Sequence, residues 1–326
     1  MKKTFSLAAA SLLRNYFEEA ETSTYANRKF GLEIETLVVH EITKEIISRD
    51  TSQNILLSLI EDFKWELKGK FRETYGEIKK DGFILKYDVG WNLFELVTPV
   101  ELVSRCEVLF DRTMIRLQEF YRAADKLEAA PLFTYTDGDE SHALIESTEM
   151  DALYLELNSA AINYLGHIAA IHYNIDLTSI EEGIRAIQII NSYYKEKNYP
   201  LPESLYYWNK FMTLSRANYE SERFGAPPED FEDYIKKLAS LRVYMNSNGG
   251  GLYLQKPPQM IDENMNVDLD VFVTYVWWWT RFRVRNNKLV LEIRNIPRQT
   301  DSDIASAFGV LCDRLDFKDQ ESNSRN

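Results

Sequence analysis

TRFRVRNNKLVLEIRNIPR, residues 280–298, decides the fold class. Two strand-like runs meet at Asn286-Asn287, and asparagine tolerates the positive φ that a tight two-residue hairpin turn requires. That turn pairs Arg285 with Lys288, Arg283 with Val290 and Arg281 with Glu292. Directly paired residues share a face. Arg281, Arg283, Arg285, Glu292 and Arg294 therefore project from one side, and Phe282, Val284, Leu289, Leu291 and Ile293 from the other. A solvated outer face accounts for the polar side. A cradle in which arginine forks meet phosphate oxygens accounts for it equally.

Working outward, the hairpin is expected to run from about Val271 to Ile296, and a last helix over Ser302–Leu315 precedes a polar tail. Upstream, RKFGLEIETLVV (28–39) reads as a strand and Ser52–Lys68 as a helix with Ile55, Leu56, Leu59, Ile60 and Phe63 inside. Two strands bracket Asp81-Gly82. Another strand, Asn92–Thr98, stops at Pro99, and Glu101–Leu127 reads as a long helix. HIAAIHYNID (167–176) reads as a buried strand, while residues 150–165 fit neither pattern. From Ile180 to Leu241 the period is mostly helical, broken at Pro200, Pro202 and Gly225-Ala226-Pro227-Pro228. SNGGG (247–251) and the KPP at 256–258 read as loops. Strands interleaved irregularly with long helices predict an α+β fold, a mainly antiparallel sheet flanked by helices. No strand leads into GxGxxG and no GxxxxGK[ST] occurs. A single catalytic domain over 1–326 is expected, with a mostly helical insertion at about 180–265 and a frayed tail at about 317–326.

Composition narrows the function. The 326 residues carry 38 Lys plus Arg against 51 Asp plus Glu, a formal net charge of −13, which argues against a nucleic-acid backbone as partner. Cys106 and Cys312 form neither a disulfide framework nor a zinc pattern, so a reducing, cytoplasmic setting is expected. MKKTFSLAAASLL imitates a signal peptide. The rival reading, an amphipathic helix with Phe5, Ala9, Leu12, Leu13, Tyr16 and Phe17 on one stripe, is preferred because the stripe continues beyond Arg14. No segment approaches a membrane span, and none implies a membrane partner.

Three acidic or polar clusters accompany the arginines. On the 28–39 strand, Glu33 and Glu35 share a face about 7 Å apart and repel by roughly 2–3 kcal/mol at an effective dielectric near 20. They form either a solvated face or a buried pair that needs a cation or a raised pKa. In YDVGWNLFELVTP (87–99), Asp88 and Glu95 stand in an apolar run, matched either by a distant salt bridge or by a metal. In HIAAIHYNID, His172 and Asn174 share a face; a lone strand histidine is more often a hydrogen-bonded core residue than a ligand.

Acids opposite an arginine ladder suit ATP with magnesium, since carboxylates hold hard cations and guanidiniums take phosphate charge. GLEIET (31–36), DVGWNLFE (88–95) followed by LVTP, IHYN (171–174) and LEIR (291–294) occur in this order, and with them the sequence resembles the glutamate–cysteine ligase family and its carboxylate–amine ligase relatives. The resemblance implies a glutamine synthetase-like catalytic fold, a curved antiparallel sheet whose concave face holds ATP and two or three divalent ions (Mg2+, with Mn2+ as an alternative). It implies Glu35, Asp88 and Glu95 as ligands of one ion, Glu33, His172 and Glu292 as ligands of another, and Arg294 on the transferring phosphoryl group. The hairpin register, rather than the resemblance, nominates Arg281, Arg283 and Arg285 as nucleotide contacts, Arg281 also as a catalytic group; Asn174 joins them as a polar contact.

The implied reaction, as in glutathione biosynthesis, is attack of a carboxylate on the γ-phosphate of ATP. An amine then attacks the acyl phosphate; glutamate and cysteine are the default small-molecule substrates. After LEIR many members carry an acid where this chain has Pro297. The competing readings are a non-catalytic nucleotide- or metabolite-binding protein on the same fold and an unrelated metal-dependent hydrolase. The amine, pathway, oligomeric state and regulation are not written in the sequence.

Overall fold

The computed structural model describes residues 7–71, 74–88, 90–133, 164, 167–199, 202–214, 227–247, 252–261, 265–274, 276, 278–297 and 300–315. Its central element is β1 (Lys29–His40), whose aromatic and β-branched residues favour extended backbone and whose 12 residues leave room for several partners. On one edge lies β5 (Leu93–Val97), on the other β8 (Ile171–Asp176). The short strands β6 (Glu101–Leu102) and β7 (Ala129–Leu132) pair with the two ends of β1. Beyond β5 come β4 (Phe83–Tyr87), β3 (Thr74–Lys80) and β2 (Glu66–Phe71); beyond β8 come β12 (Lys288–Ile296) and β11 (Thr280–Arg285).

These elements make a 10-stranded sheet in which each described pairing is antiparallel. The fold is therefore α+β, a large antiparallel sheet flanked by helices. Both predicted hairpin turns have positive φ at each central residue, 50° and 85° at Asp81 and Gly82, 50° and 62° at Asn286 and Asn287. That geometry matches the right-handed twist of the strands they join. The Asn286-Asn287 turn sets the expected register, Arg281 opposite Glu292 and Arg283 opposite Val290.

One face of the sheet is apolar and covered. Against it pack α3 (Cys106–Asp125) and α8 (Ser302–Arg314); Phe30 stacks on Phe308 at 4.4 Å between centroids, and Phe94 meets Phe120 at 4.9 Å. Further along, α1 (Leu7–Glu18) packs with α6 (Phe231–Ala239), placing Phe17 against Tyr234 and Phe282. Across β11 runs α4 (Ile180–Lys197), and Gly183 makes its close approach feasible: a Cβ there would lie 2.4 Å from the Phe282 ring. Toward the β3–β4 side, α2 (Arg49–Phe63) is capped by the Ser48 side chain, which accepts from the Thr51 amide, and buries Ile55, Leu56 and Leu59.

Four expectations change. The second helix ends at Phe63, not Lys68, because Lys64 turns left-handed and Glu66 begins β2. Residues 101–105 are not α-helical: Glu101 and Leu102 find ladder partners on β1, Val103–Arg105 forms one 3-10 turn, and the α-helix starts at Cys106. Within the expected hairpin, Leu269–Thr274 is the helix α7, so β11 starts at Thr280. The KPP at 256–258 is not a loop but part of β10 (Leu252–Met260), which pairs with β9 (Arg242–Ser247) in a two-stranded sheet of the region that also holds α4, α5 (Pro202–Leu214) and α6. Phe5, most of 150–165, Gly249–Gly251, Pro200, Gly225-Ala226 and the tail lie outside the described residues. Among the described residues no helix is long and apolar enough to cross a membrane.

Candidate active site

Strand parity puts the chemistry on the other face. On β1, Leu32 and Ile34 are buried in the core while Glu33 and Glu35 point the opposite way. Register then carries that face across the sheet. Glu35 stands opposite Glu95 on β5, and Glu95 opposite Lys86 on β4. Toward the other edge Glu33 stands opposite His172 on β8, and Asn174 opposite Glu292 on β12. Asp88 follows directly on β4. One carboxylate oxygen from each of Glu35, Asp88 and Glu95 lies within 4.8 Å of the other two.

The neighbours of these acids determine their charge. His172 Nδ1 lies 3.1 Å from Glu33 and its Nε2 3.4 Å from Glu35, so the ring bridges both carboxylates. Burial disfavours a charged imidazole, but Glu35 and Glu33 outweigh it and raise its pKa. Burial likewise opposes ionisation of Glu33, yet the His172 hydrogen bond and charge hold it down at about 2. Glu35 is pushed up to about 7 by burial, against the pull of His172, with Asp88 and Glu95 adding repulsion. Glu95 is also pushed up to about 7 by burial, despite Lys86 Nζ at 2.8 Å. Two buried carboxylates with raised pKa values beside a third mark a shortage of positive charge.

A second set surrounds Glu292. The buried Arg281 donates to its carboxylate and, through Nη1, to the carbonyls of Val273, Thr274 and Val276. Arg283 lies 3.7 Å from Glu292 and donates to the Thr274 hydroxyl at 2.8 Å; Arg294 lies 3.8 Å from Glu292. Burial works against the Glu292 charge, but Arg281, Arg294 and Arg283 hold its pKa far below the usual carboxylate range. Burial pulls Arg281 down to about 9. The Arg294 side chain is 23 % exposed and feels Glu33, Glu35 and Asp88 as well as Glu292.

Next to Glu33 opens a cavity of about 890 Å³. Gly31, Asn174, Asp176 and Val290 line it, with Thr22, Ser23, Thr24 and Asn27 from the approach to β1. Lys29, Arg285 and Lys288 also line it; Lys288 pairs with Glu21 at 2.7 Å. Among the described residues, the Lys29 and Arg285 side chains have neither an ion pair nor a hydrogen bond.

No family model matches the chain, and no curated protein does. A solved structure of the glutamate–cysteine ligase of Francisella tularensis in complex with AMP is similar to it at 16% identity and a TM-score of 0.31. The match covers 54% of this chain and 34% of that one, so the chain spans about a third of that ligase's length. A likeness this partial carries neither family nor activity to this chain.

The donor set itself is informative. Glu35, Asp88 and Glu95 offer only oxygen at mutual distances that suit one hard divalent cation. Glu33 and His172 sit next to that group, joined through the imidazole. Glu292 stands apart from them in its partners, since Arg281 already occupies its carboxylate. Arg281 has its guanidinium turned into protein carbonyls and is 1% exposed, so it has no surface to offer a nucleotide. Arg285 lies on the cavity wall and Asn174 donates to Glu33 at 3.4 Å. Sequence reasoning missed Lys86, Lys29 and the Thr22–Asn27 segment. Lys86 carried a signal: it is two residues before Asp88 and so shares its face.

Proposed function

We propose that the chain is an ATP- and Mg2+-dependent carboxylate–amine ligase of the glutamate–cysteine ligase type, built on a glutamine synthetase-like sheet. One observation carries the reading: three carboxylates in metal-binding proximity and an arginine-rich Glu292 centre share one face of an antiparallel sheet, beside a cavity of ligand size. The ordered sequence motifs support it, since each contributes residues to that face.

In this reading Glu35, Asp88 and Glu95 hold one Mg2+ (Mn2+ being an alternative), and Glu33 and His172, with Glu292 through the carboxylate oxygen that Arg281 leaves free, would serve a second. When bound, the cation supplies charge neutralisation for the transferring phosphoryl group. Arg294, partly exposed at the meeting point of both centres, stabilises charge on that group, and Arg283 assists. Arg281 is a positioning residue that fixes Glu292 against β11. Arg285 and Lys29 receive the anionic end of a substrate in the cavity, with Asn174 as a polar contact. The acid is most simply the γ-carboxyl of glutamate, activated as an acyl phosphate, and cysteine the default amine. Residues 1–326 act as one catalytic unit, in the cytoplasm.

The test is ADP release from purified protein with ATP and Mg2+ over a panel of amino acids and amines. Release is expected only when an acid and an amine are both present. Amine-independent hydrolysis would replace this reading with a hydrolase, and tight ATP binding without turnover would replace it with a binding protein.

A further inference from the structure

The three-carboxylate cluster has a protein cation reaching into it. Lys86 is paired in the ladder between Glu95 on β5 and Glu77 on β3. Its ammonium lies 2.8 Å from Glu95 Oε1, and its charge is felt by Asp88 and Glu33 as well. Lysine is a flexible four-carbon stem with a point charge at its end. The Lys86 side chain is 40% exposed, so the stem has a path to solvent while Glu95, the acid it pairs with, stays buried. Glu77 provides a second station for the ammonium. It lies on the far side of Lys86 in the same row and is now paired with Lys68 at 2.8 Å.

We propose that Lys86 is a displaceable internal counter-cation that competes with a divalent ion for the Glu35–Asp88–Glu95 cluster, moving from Glu95 toward Glu77 when the ion binds. This deepens, and rests on, the metal-site reading above. A divalent ion delivers two charges to three carboxylates and replaces one ammonium. A monovalent ion delivers no more than Lys86 already supplies. The residue therefore sets both the affinity of the cluster and its preference for divalent over monovalent cations. In the ion-free site it also keeps the buried Glu95 from carrying an uncompensated charge, which burial would penalise.

The test is calorimetric titration of the full chain with Mg2+ and with Mn2+, for the wild type, Lys86→Gln and Lys86→Met. Lys126→Gln, which removes an exposed charge outside the cluster and its row, is the control. Thermal melting of every ion-free variant establishes that it is folded. Removing the competitor is expected to tighten divalent binding by up to about fivefold, the scale of one part-exposed ion pair, with Lys126→Gln near wild type. Binding seen only after Lys86 is replaced would support the proposal equally. Equal affinity in wild type and both Lys86 variants, or weaker affinity in the variants, would overturn it while leaving the metal site standing. No saturable binding in any variant would overturn the metal site, and the competitor with it.

Discussion

A carboxylate buried among other carboxylates ionises only if something nearby answers its charge. At Glu35 and Glu95 the answer is incomplete, and both titrate at about 7 in the folded, ion-free protein against an ordinary value of 4.5. Between those two pH values the folded state binds more protons than the unfolded state. Stability must therefore fall as pH rises through that window. His172 acts in the same direction: its raised pKa gives stability that is lost as pH climbs past its folded value. Glu33, with its pKa lowered to about 2, contributes oppositely and only when pH drops below about 4.5. Melting the chelator-treated protein between pH 5 and 8 should thus show a midpoint that declines by a few degrees. Glu35→Gln should flatten that decline, since glutamine has no proton to lose. A midpoint rising with pH over the range would refute the assignment. The pairing of Glu33 with Glu35 on one face was legible from alternation alone, whereas the histidine bridging them was not, because β8 lies more than a hundred residues downstream.

Among the elements, the turn and register of the β11–β12 hairpin were readable to the residue, because turn chemistry and a period of two are both local. The helix α7 was not. Its sequence, LDVFVT, is β-branched and alternating, and in isolation favours a strand. Two outside groups override that preference. Asp268 accepts from the Val271 amide at 3.1 Å, capping the first turn, and Arg281 binds carbonyls at the last. The packing of α4 on β11 depends in a similar way on Gly183. A methyl group there would meet the buried Phe282 ring at 2.4 Å and Leu177 at 2.7 Å, and neither can move without disturbing the core. Gly183→Ala should destabilise the fold by about 1–3 kcal/mol, the usual range for overpacking. Denaturant unfolding measures it, and an unchanged midpoint would show that α4 can shift away. The helix ends at Phe63 and Cys106 escaped sequence reading because strand pairing took the neighbouring residues, Glu66 onward with β3 and Glu101-Leu102 with β1.

Across the whole molecule, the net charge of −13 is not a uniform coat. One face of the central sheet gathers acids and arginines together, and the adjoining cavity adds Lys29, Arg285 and Lys288. Gly31 forms part of the cavity lining, where a Cβ would find only Thr98 Oγ1, at 3.9 Å. Valine suits a strand and should be accepted there without strain, yet its methyl groups would take up substrate space. Gly31→Val is expected to raise the KM of the cavity's ligand about tenfold or more, with the melting point nearly unchanged. Unaltered kinetics would remove the cavity from the proposed mechanism. By itself the sequence determined the antiparallel sheet, the two hairpin turns and which side chains share a face, because alternation and turn conformation are properties of neighbouring residues. Hairpin register had already set Arg281 opposite Glu292, whereas the contacts of Glu33 and Glu35 with His172, and of Glu95 with Lys86, were fixed only in the tertiary structure. Ion pairing is set by strand order and proximity, and the order β12-β8-β1-β5-β4 joins segments that are far apart in the chain.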